Sequence, residues 1–240
     1  MAGRNESVMP DVIEHSTRQA QAEAVAAEMA AALDAAIREK GAALLACSGG
    51  STPAAAYEAL SHADIDWSKI SVVLVDERWV DEDHEKSNAA FLRRTLLKNR
   101  AAAAHFVPLK TAGDSPALGL DAVLSALAAL PFPPDAALMG MGTDGHTASW
   151  FPGADGLDAA LNGPERAAAI AGASGAAASG QDQRITLTAS ALDGAGWMGL
   201  MIAGDDKRQA LEEALTDGPV AEMPVRAILP RPGLRIHWAA

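Results

Sequence analysis

Apolar residues recur along this chain in two alternating rhythms. Residues 17–40 place Val25, Met29, Leu33 and Ile37 four apart in an alanine-rich stretch that stops at Gly41, which predicts an amphipathic helix with a glycine C-cap. The rhythm then changes. Residues 42–47 form a short apolar run followed by Gly49 and Gly50, and residues 71–75 (SVVLV) form a β-branched run that ends in three charged residues. Runs of that length with no polar interruption predict strands buried on both faces. Beyond them, 88–97 and 118–130 read as helices, 136–141 and 197–203 as strands, 207–215 as a helix, and 234–238 as a closing edge strand. Strands alternating with helices predict a doubly wound α/β sheet with helices on both faces, and the 240-residue length fits one domain spanning 1–240. Residues 172–183 are Gly, Ala and Ser with little periodicity, so a flexible surface loop is expected there.

Composition narrows the function. Hydrophobic residues make up 49% and charged residues 21%, enough apolar surface to fold. The formal net charge of -12 and the lack of any basic run argue against a nucleic-acid partner, which needs clustered Lys and Arg. No apolar run approaches the roughly 20 residues that span a bilayer, and residues 1–10 lack the basic flank and apolar stretch of a secretory signal. The expectation is a cytoplasmic protein with no membrane partner. A single cysteine, Cys47, fits a reducing compartment. An acidic protein can still bind a small anion, because charges beyond about 8 Å are largely screened at physiological salt. Where the few cations sit therefore matters more than the total.

In an open α/β sheet, ligands bind beyond the carboxyl ends of the strands. Four segments in that position are unusual. Ser48-Gly49-Gly50-Ser51-Thr52-Pro53 precedes a helical stretch and reads either as a phosphate cradle or as a tight turn with an N-cap. It lacks the Gly-Lys-Ser/Thr ending of a nucleotide-binding loop, so a small phosphoester fits better than ATP. Asp76-Glu77-Arg78 reads as a solvated corner or, if it shares the rim with the glycine loop, as an Arg78 donor fork oriented by Asp76 or Glu77. The stretch 139–149 (MGMGTDGHTAS) reads as strand, glycines, then helix. Its His146 is the best general base in the chain, with Asp144 available to hold its tautomer. Lys207 follows a strand near a helix start, and Arg184 opens the run RITLT; both are candidate anion ligands. The other histidines read as surface or packing residues, and no His, Cys and carboxylate cluster has metal-site spacing, so no metal is expected.

These segments in this order resemble the 6-phosphogluconolactonase family, which shares a superfamily with the glucosamine-6-phosphate deaminases. The resemblance is carried by SGGSTP (48–53), DWSKISVVLVDERWV (66–80), SNAAFLRRTLL (87–97), MGMGTDGHTASWFPG (139–153), RITLT (184–188) and GDDKRQALEEAL (204–215). It implies a single Rossmann-like three-layer α/β/α domain with a mostly parallel sheet, acting without metal or organic cofactor on a sugar-phosphate lactone. It also implies His146 as the base, Ser51, Thr52, Arg184 and Lys207 on the phosphate, and Arg78 near the lactone. Thr143 and Asp81 stand where the family often has proline. Two rival readings are an amino-sugar-phosphate deaminase and a sensor that binds without reacting. Against the first, Arg78 occupies the place of the deaminases' tyrosine, and Ser149-Trp150-Phe151-Pro152 stands where they carry Asn-Glu-Pro. Against the second, the Asp-Gly-His segment is intact.

Overall fold

The structure, a computed structural model, describes residues 10–172 and 181–240. In chain order its strands are β1 (Val12–His15), β2 (Ala43–Cys47), β3 (Ile70–Leu74), β4 (Asp76–Arg78), β5 (His105–Val107), β6 (Ala136–Met139), β7 (Ala167–Ile170), β8 (Arg184–Leu187), β9 (Trp197–Ala203) and β10 (Leu234–Ala239). The α-helices are α1 (Arg18–Lys40), α2 (Ala54–Ser61), α3 (Asn88–Thr95), α4 (Pro116–Ala128), α5 (Leu157–Asn162), α6 (Ala189–Leu192) and α7 (Asp205–Ala214).

Seven strands form a parallel sheet in the order β1-β10-β9-β6-β2-β3-β5, flanked by helices. From β2 the chain winds outward to β3 and β5, then returns to the other side of β2 and continues through β6 and β9. The order therefore reverses between β2 and β6, and the loops leaving those two strands part at their carboxyl ends. That divergence opens the crevice in which doubly wound sheets bind ligands.

Local sequence explains the frame. Helix α1 starts at Thr17, whose hydroxyl accepts from the Ala20 N–H, and ends at Gly41, whose φ of 81° only glycine adopts without strain. Val25, Met29 and Leu33 are buried on its inner face. Buried Gln21 extends from the same helix to donate to the carbonyls of Ile202 and His237, 2.8 Å each, tying α1 to β9 and β10. Strands β2 and β6 are buried at every position, as their unbroken apolar runs predict. The buried apolar residues of both sheets and the helices make one cluster.

Three expectations are corrected. The closing strand β10 is not an edge: β1 pairs with it in parallel, Val12 opposite Ile236, and takes the edge. The four residues of β1 are too short and too mixed in polarity to announce a strand. No helix follows Ser149; residues 147–153 form turns, and α5 begins only at Leu157. The cause is tertiary, since Ser149 is drawn inward to bond Asp76 (Ser149 Oγ to Asp76 Oδ2, 2.5 Å). Finally, Asp76-Glu77-Arg78 is no loop corner but β4, the edge of a second, antiparallel sheet in the order β4-β8-β7. Most of the segment expected to be a flexible loop, 173–180, lies outside the described residues. No helix among the described residues is long and apolar enough to cross a membrane.

At the β1 edge, fully buried His237 contacts His15 (Nδ1 to Nε2, 3.0 Å), with Glu28 Oε2 3.5 Å from its Nε2. Burial lowers the His237 pKa below its ordinary 6.5; Glu28 opposes this, while the charges of His15 and Arg235 add to it. Unfolding therefore takes up a proton as the pH falls below about 6.5, so the stability His237 contributes is complete above that value and is lost on acidification towards its folded value. We expect the melting temperature to fall more steeply between pH 7.5 and 5.5 in the parent than in His237→Gln; equal slopes would show that His237 is not the group responsible.

Candidate active site

The four expected segments meet at one cleft of about 410 Å³, lined among others by Gly49, Gly50, Ser51, Thr52, Arg78, His146, Arg184 and Lys207. Each arrives from a different element: the glycine loop after β2, Arg78 on β4, His146 after β6, Arg184 on β8 and Lys207 in the first turn of α7. Among the described residues, three cations line the cleft against a single carboxylate, Asp76.

The antiparallel pairing of β4 with β8 decides which charges face inward. Side chains alternate along a strand, so Asp76 and Arg78 share one face while Glu77 takes the other. In register, Arg78 lies opposite Arg184 and Asp76 opposite Thr186. Like charges directly opposite one another destabilise a strand pair by some tenths of a kcal/mol to about 1 kcal/mol. Asp76 offsets this. Its Oδ2 lies 3.5 Å from Arg184 Nη1 and also accepts from Ser149 Oγ. Burial draws the Arg184 pKa below its ordinary value, Arg78 adds to the effect, and Asp76 and Glu77 oppose it.

Glu77 is not beside Arg78's guanidinium. Its buried carboxylate accepts the N–H groups of Asn88 (2.8 Å) and Ala89 (2.7 Å), capping the start of α3 together with the Ser87 hydroxyl. Burial raises its pKa, and those backbone donors partly counter the rise. Arg78 is oriented instead by Asn88 Oδ1 (2.9 Å) and the Lys86 carbonyl (2.6 Å). The role expected of Asp76 or Glu77 toward Arg78 thus falls to Asn88, which also donates to the Asp76 carbonyl at 2.9 Å. Sequence reading passed over Asn88 as the first residue of a helix. Its available signal was Ser87 just before it, an N-cap that fixes α3 against β4.

His146 lines the cleft beside Asp144. Its Nδ1 is 2.5 Å from Asp144 Oδ1, and that oxygen also accepts the His146 N–H at 3.2 Å. An ionised carboxylate can only accept, so Nδ1 is the donor of this pair. Burial pushes the Asp144 carboxyl up, but the hydrogen bonds and charge of His146 outweigh it and hold the carboxyl below its ordinary value. Gly142 is required here, since a Cβ would overlap His146 Nδ1. Lys207 donates to the Met141 carbonyl at 2.6 Å, pinning the histidine loop to α7. Burial lowers its pKa, with Asp206 and Asp144 acting in the opposite direction. Cys47 is fully buried and its thiol pKa is pushed up by that burial, which leaves it a packing residue. Among the described residues, no group of three or more His, Cys, Asp and Glu could hold a metal ion.

Residues 16–238 match the family described as Glucosamine-6-phosphate isomerases/6-phosphogluconolactonase. The chain is 44% identical over 223 residues to a 6-phosphogluconolactonase of Rhizobium meliloti, covering 92% of this chain and 94% of that one. It is 44% identical over 220 residues to a 6-phosphogluconolactonase of Pseudomonas aeruginosa, covering 91% and 90%. The crystal structure of a 6-phosphogluconolactonase from Shewanella baltica superposes with a TM-score of 0.92 at 34% identity, covering 97% of this chain and 99% of that one. The chain belongs to the glucosamine-6-phosphate isomerase/6-phosphogluconolactonase family.

The glycine loop touches the arginine support directly: a Cβ on Gly49 would overlap the buried Asn88 amide. Gly49→Ala is expected to lose about 1–3 kcal/mol by urea unfolding, the usual range for overpacking. In a double-mutant cycle with Asn88→Ala the two losses should be strongly non-additive. Simple additivity would show that the two residues do not meet.

Proposed function

We propose that this chain is a lactone hydrolase that opens 6-phospho-D-glucono-1,5-lactone to 6-phosphogluconate, the hydrolytic step of the oxidative pentose phosphate pathway. The observation that carries the reading is the meeting, in one cleft, of an imidazole held by a carboxylate with a glycine loop and three cations.

The substrate ester needs a water delivered to its carbonyl and an anchor for its phosphate. In this reading Ser51, Thr52, Arg184 and Lys207 hold the phosphate, with Gly49 and Gly50 allowing the backbone to approach. The Nε2 of His146 removes a proton from the attacking water, and Asp144 stabilises the imidazolium that forms. Arg78, fixed by Asn88, meets the negative charge that develops on the carbonyl oxygen. The carbonyl re-forms as the ring C–O bond breaks, and the imidazolium returns its proton to the leaving ring oxygen. No covalent enzyme intermediate is needed, because a δ-lactone is already a reactive ester.

The continuous apolar cluster supports reading residues 1–240 as one domain. The acidic net charge and the lone buried thiol support a cytoplasmic protein whose partner is a small sugar-phosphate lactone, with no nucleic acid or membrane.

His146→Ala is expected to keep its affinity for 6-phosphogluconate while hydrolysis falls by about two to four orders of magnitude, the usual contribution of general-base catalysis. A pH-stat assay on freshly generated lactone, corrected for spontaneous opening, measures this. Near-parental turnover would remove His146 from the base role, and ammonia release from glucosamine 6-phosphate without lactone hydrolysis would favour deamination instead. Arg184→Ala and Lys207→Ala should act mainly on KM, each raising it about tenfold or more, as expected for loss of a charge-assisted contact worth about 1.5–3 kcal/mol.

A further inference from the structure

One buried ring touches both halves of the proposed chemistry. Phe151 is 1% exposed and, among the described residues, is not one of those lining the cleft. Its ring stacks on the His146 imidazole, with centroids 4.3 Å apart and planes inclined by 24°. The Arg184 guanidinium carbon lies 4.9 Å from the centroid of the same ring. The proposed base and a proposed phosphate ligand, 38 residues apart in sequence, thus rest on one side chain.

We propose that Phe151 is a positioning residue that sets the placement of His146 relative to Arg184. The inference rests on the roles assigned above to those two residues. A single hydrogen bond, donated by Nδ1 to Asp144, fixes that nitrogen but leaves the imidazole free to swing about the contact. A flat, buried surface at stacking distance removes the freedom. Arg184 is held at Nε by the Gln181 carbonyl (3.0 Å) and approached by Asp76, and the ring supports the guanidinium as a cation over a π system.

Phe151 is itself held from several sides. Its N–H donates to the Ser149 carbonyl at 3.1 Å, and its carbonyl accepts from Ala154 at 3.2 Å. Next to it, Trp150 Nε1 donates to the Leu187 carbonyl at 2.8 Å, and the Ser149 N–H donates to Thr186 Oγ1 at 3.3 Å. The turn that carries Phe151 is therefore fastened to β8, the strand that carries Arg184. The distance from base to phosphate anchor is set by packing within this unit, and misplacement by about 1 Å can lower a rate about a hundredfold.

The test compares Phe151→Met, which nearly keeps the volume but removes the flat face, with Val123→Ala, a cavity variant in α4 away from the cleft. Melting temperature, kcat, KM and the calorimetric Kd for 6-phosphogluconate are measured for each. Phe151→Met is expected to lose about tenfold in kcat and to weaken product binding about fivefold, and the binding loss should persist in a His146→Ala background. Val123→Ala should lower the melting temperature and leave the constants unchanged. If Met is not accommodated, Phe151→Leu is read in the same way. The inference is overturned if the folded Phe151 variant keeps its constants within twofold of the parent, if only one of kcat and product affinity changes, or if Val123→Ala reproduces both losses. Undiminished turnover in His146→Ala would instead overturn the parent reading.

Discussion

Two guanidinium groups, Arg78 and Arg184, face one another across a single antiparallel strand pair, and the buried carboxylate of Asp76 lets them stay there. Left to itself the arrangement would push β4 from β8, because both cations lie on one face and Arg184 is buried. Asp76 is held in turn by Ser149, so the histidine-bearing turn, the arginine strand and the start of β4 share one carboxylate. Removing that charge would take from the buried Arg184 guanidinium the carboxylate beside it, and breaking a buried ion pair is among the more destabilising changes a site can suffer.

From this knot the rest of the cleft follows. The β4-β8-β7 sheet closes one side, and the reversal of strand order between β2 and β6 opens the other. The glycine loop presses so closely on Asn88 that it admits no side chain at Gly49. Asn88 in turn fixes Arg78 through its amide oxygen. Glu77, one residue from Arg78, points away and spends its charge on the start of α3. Neighbours in sequence thus serve different ends because a strand turns alternate side chains to opposite faces.

The charge balance follows the same division. A chain of net charge -12 collects three of its cations at one small opening. Screening keeps the acidic exterior from cancelling them at contact range. The cations do not stand alone, since Lys207 and Arg184 are each tied to a protein carbonyl and so are held in place at the cleft.

Much of this was open to reading from the residues. Helix α1 with its Thr17 and Gly41 ends, the apolar strands β2, β3, β6 and β9, and the loops that follow them are written in local patterns. So is the pairing of Asp144 with His146, two positions apart, because the hydrogen bond spans a single turn of chain. The sequence by itself thus determined the repeating strands and helices, the placing of glycine-rich loops at strand ends, and the pairing of an imidazole with a nearby carboxylate. Tertiary structure alone decided that β1 caps the sheet beyond β10, that β4 and β8 pair in the register opposing two arginines, that Asn88 rather than a carboxylate orients Arg78, and that Phe151 lies against both His146 and Arg184. The physical reason is range. Hydrophobic period and turn chemistry are properties of a few consecutive residues, whereas register, counter-ion pairing and ring stacking join side chains whose distance apart no local pattern records.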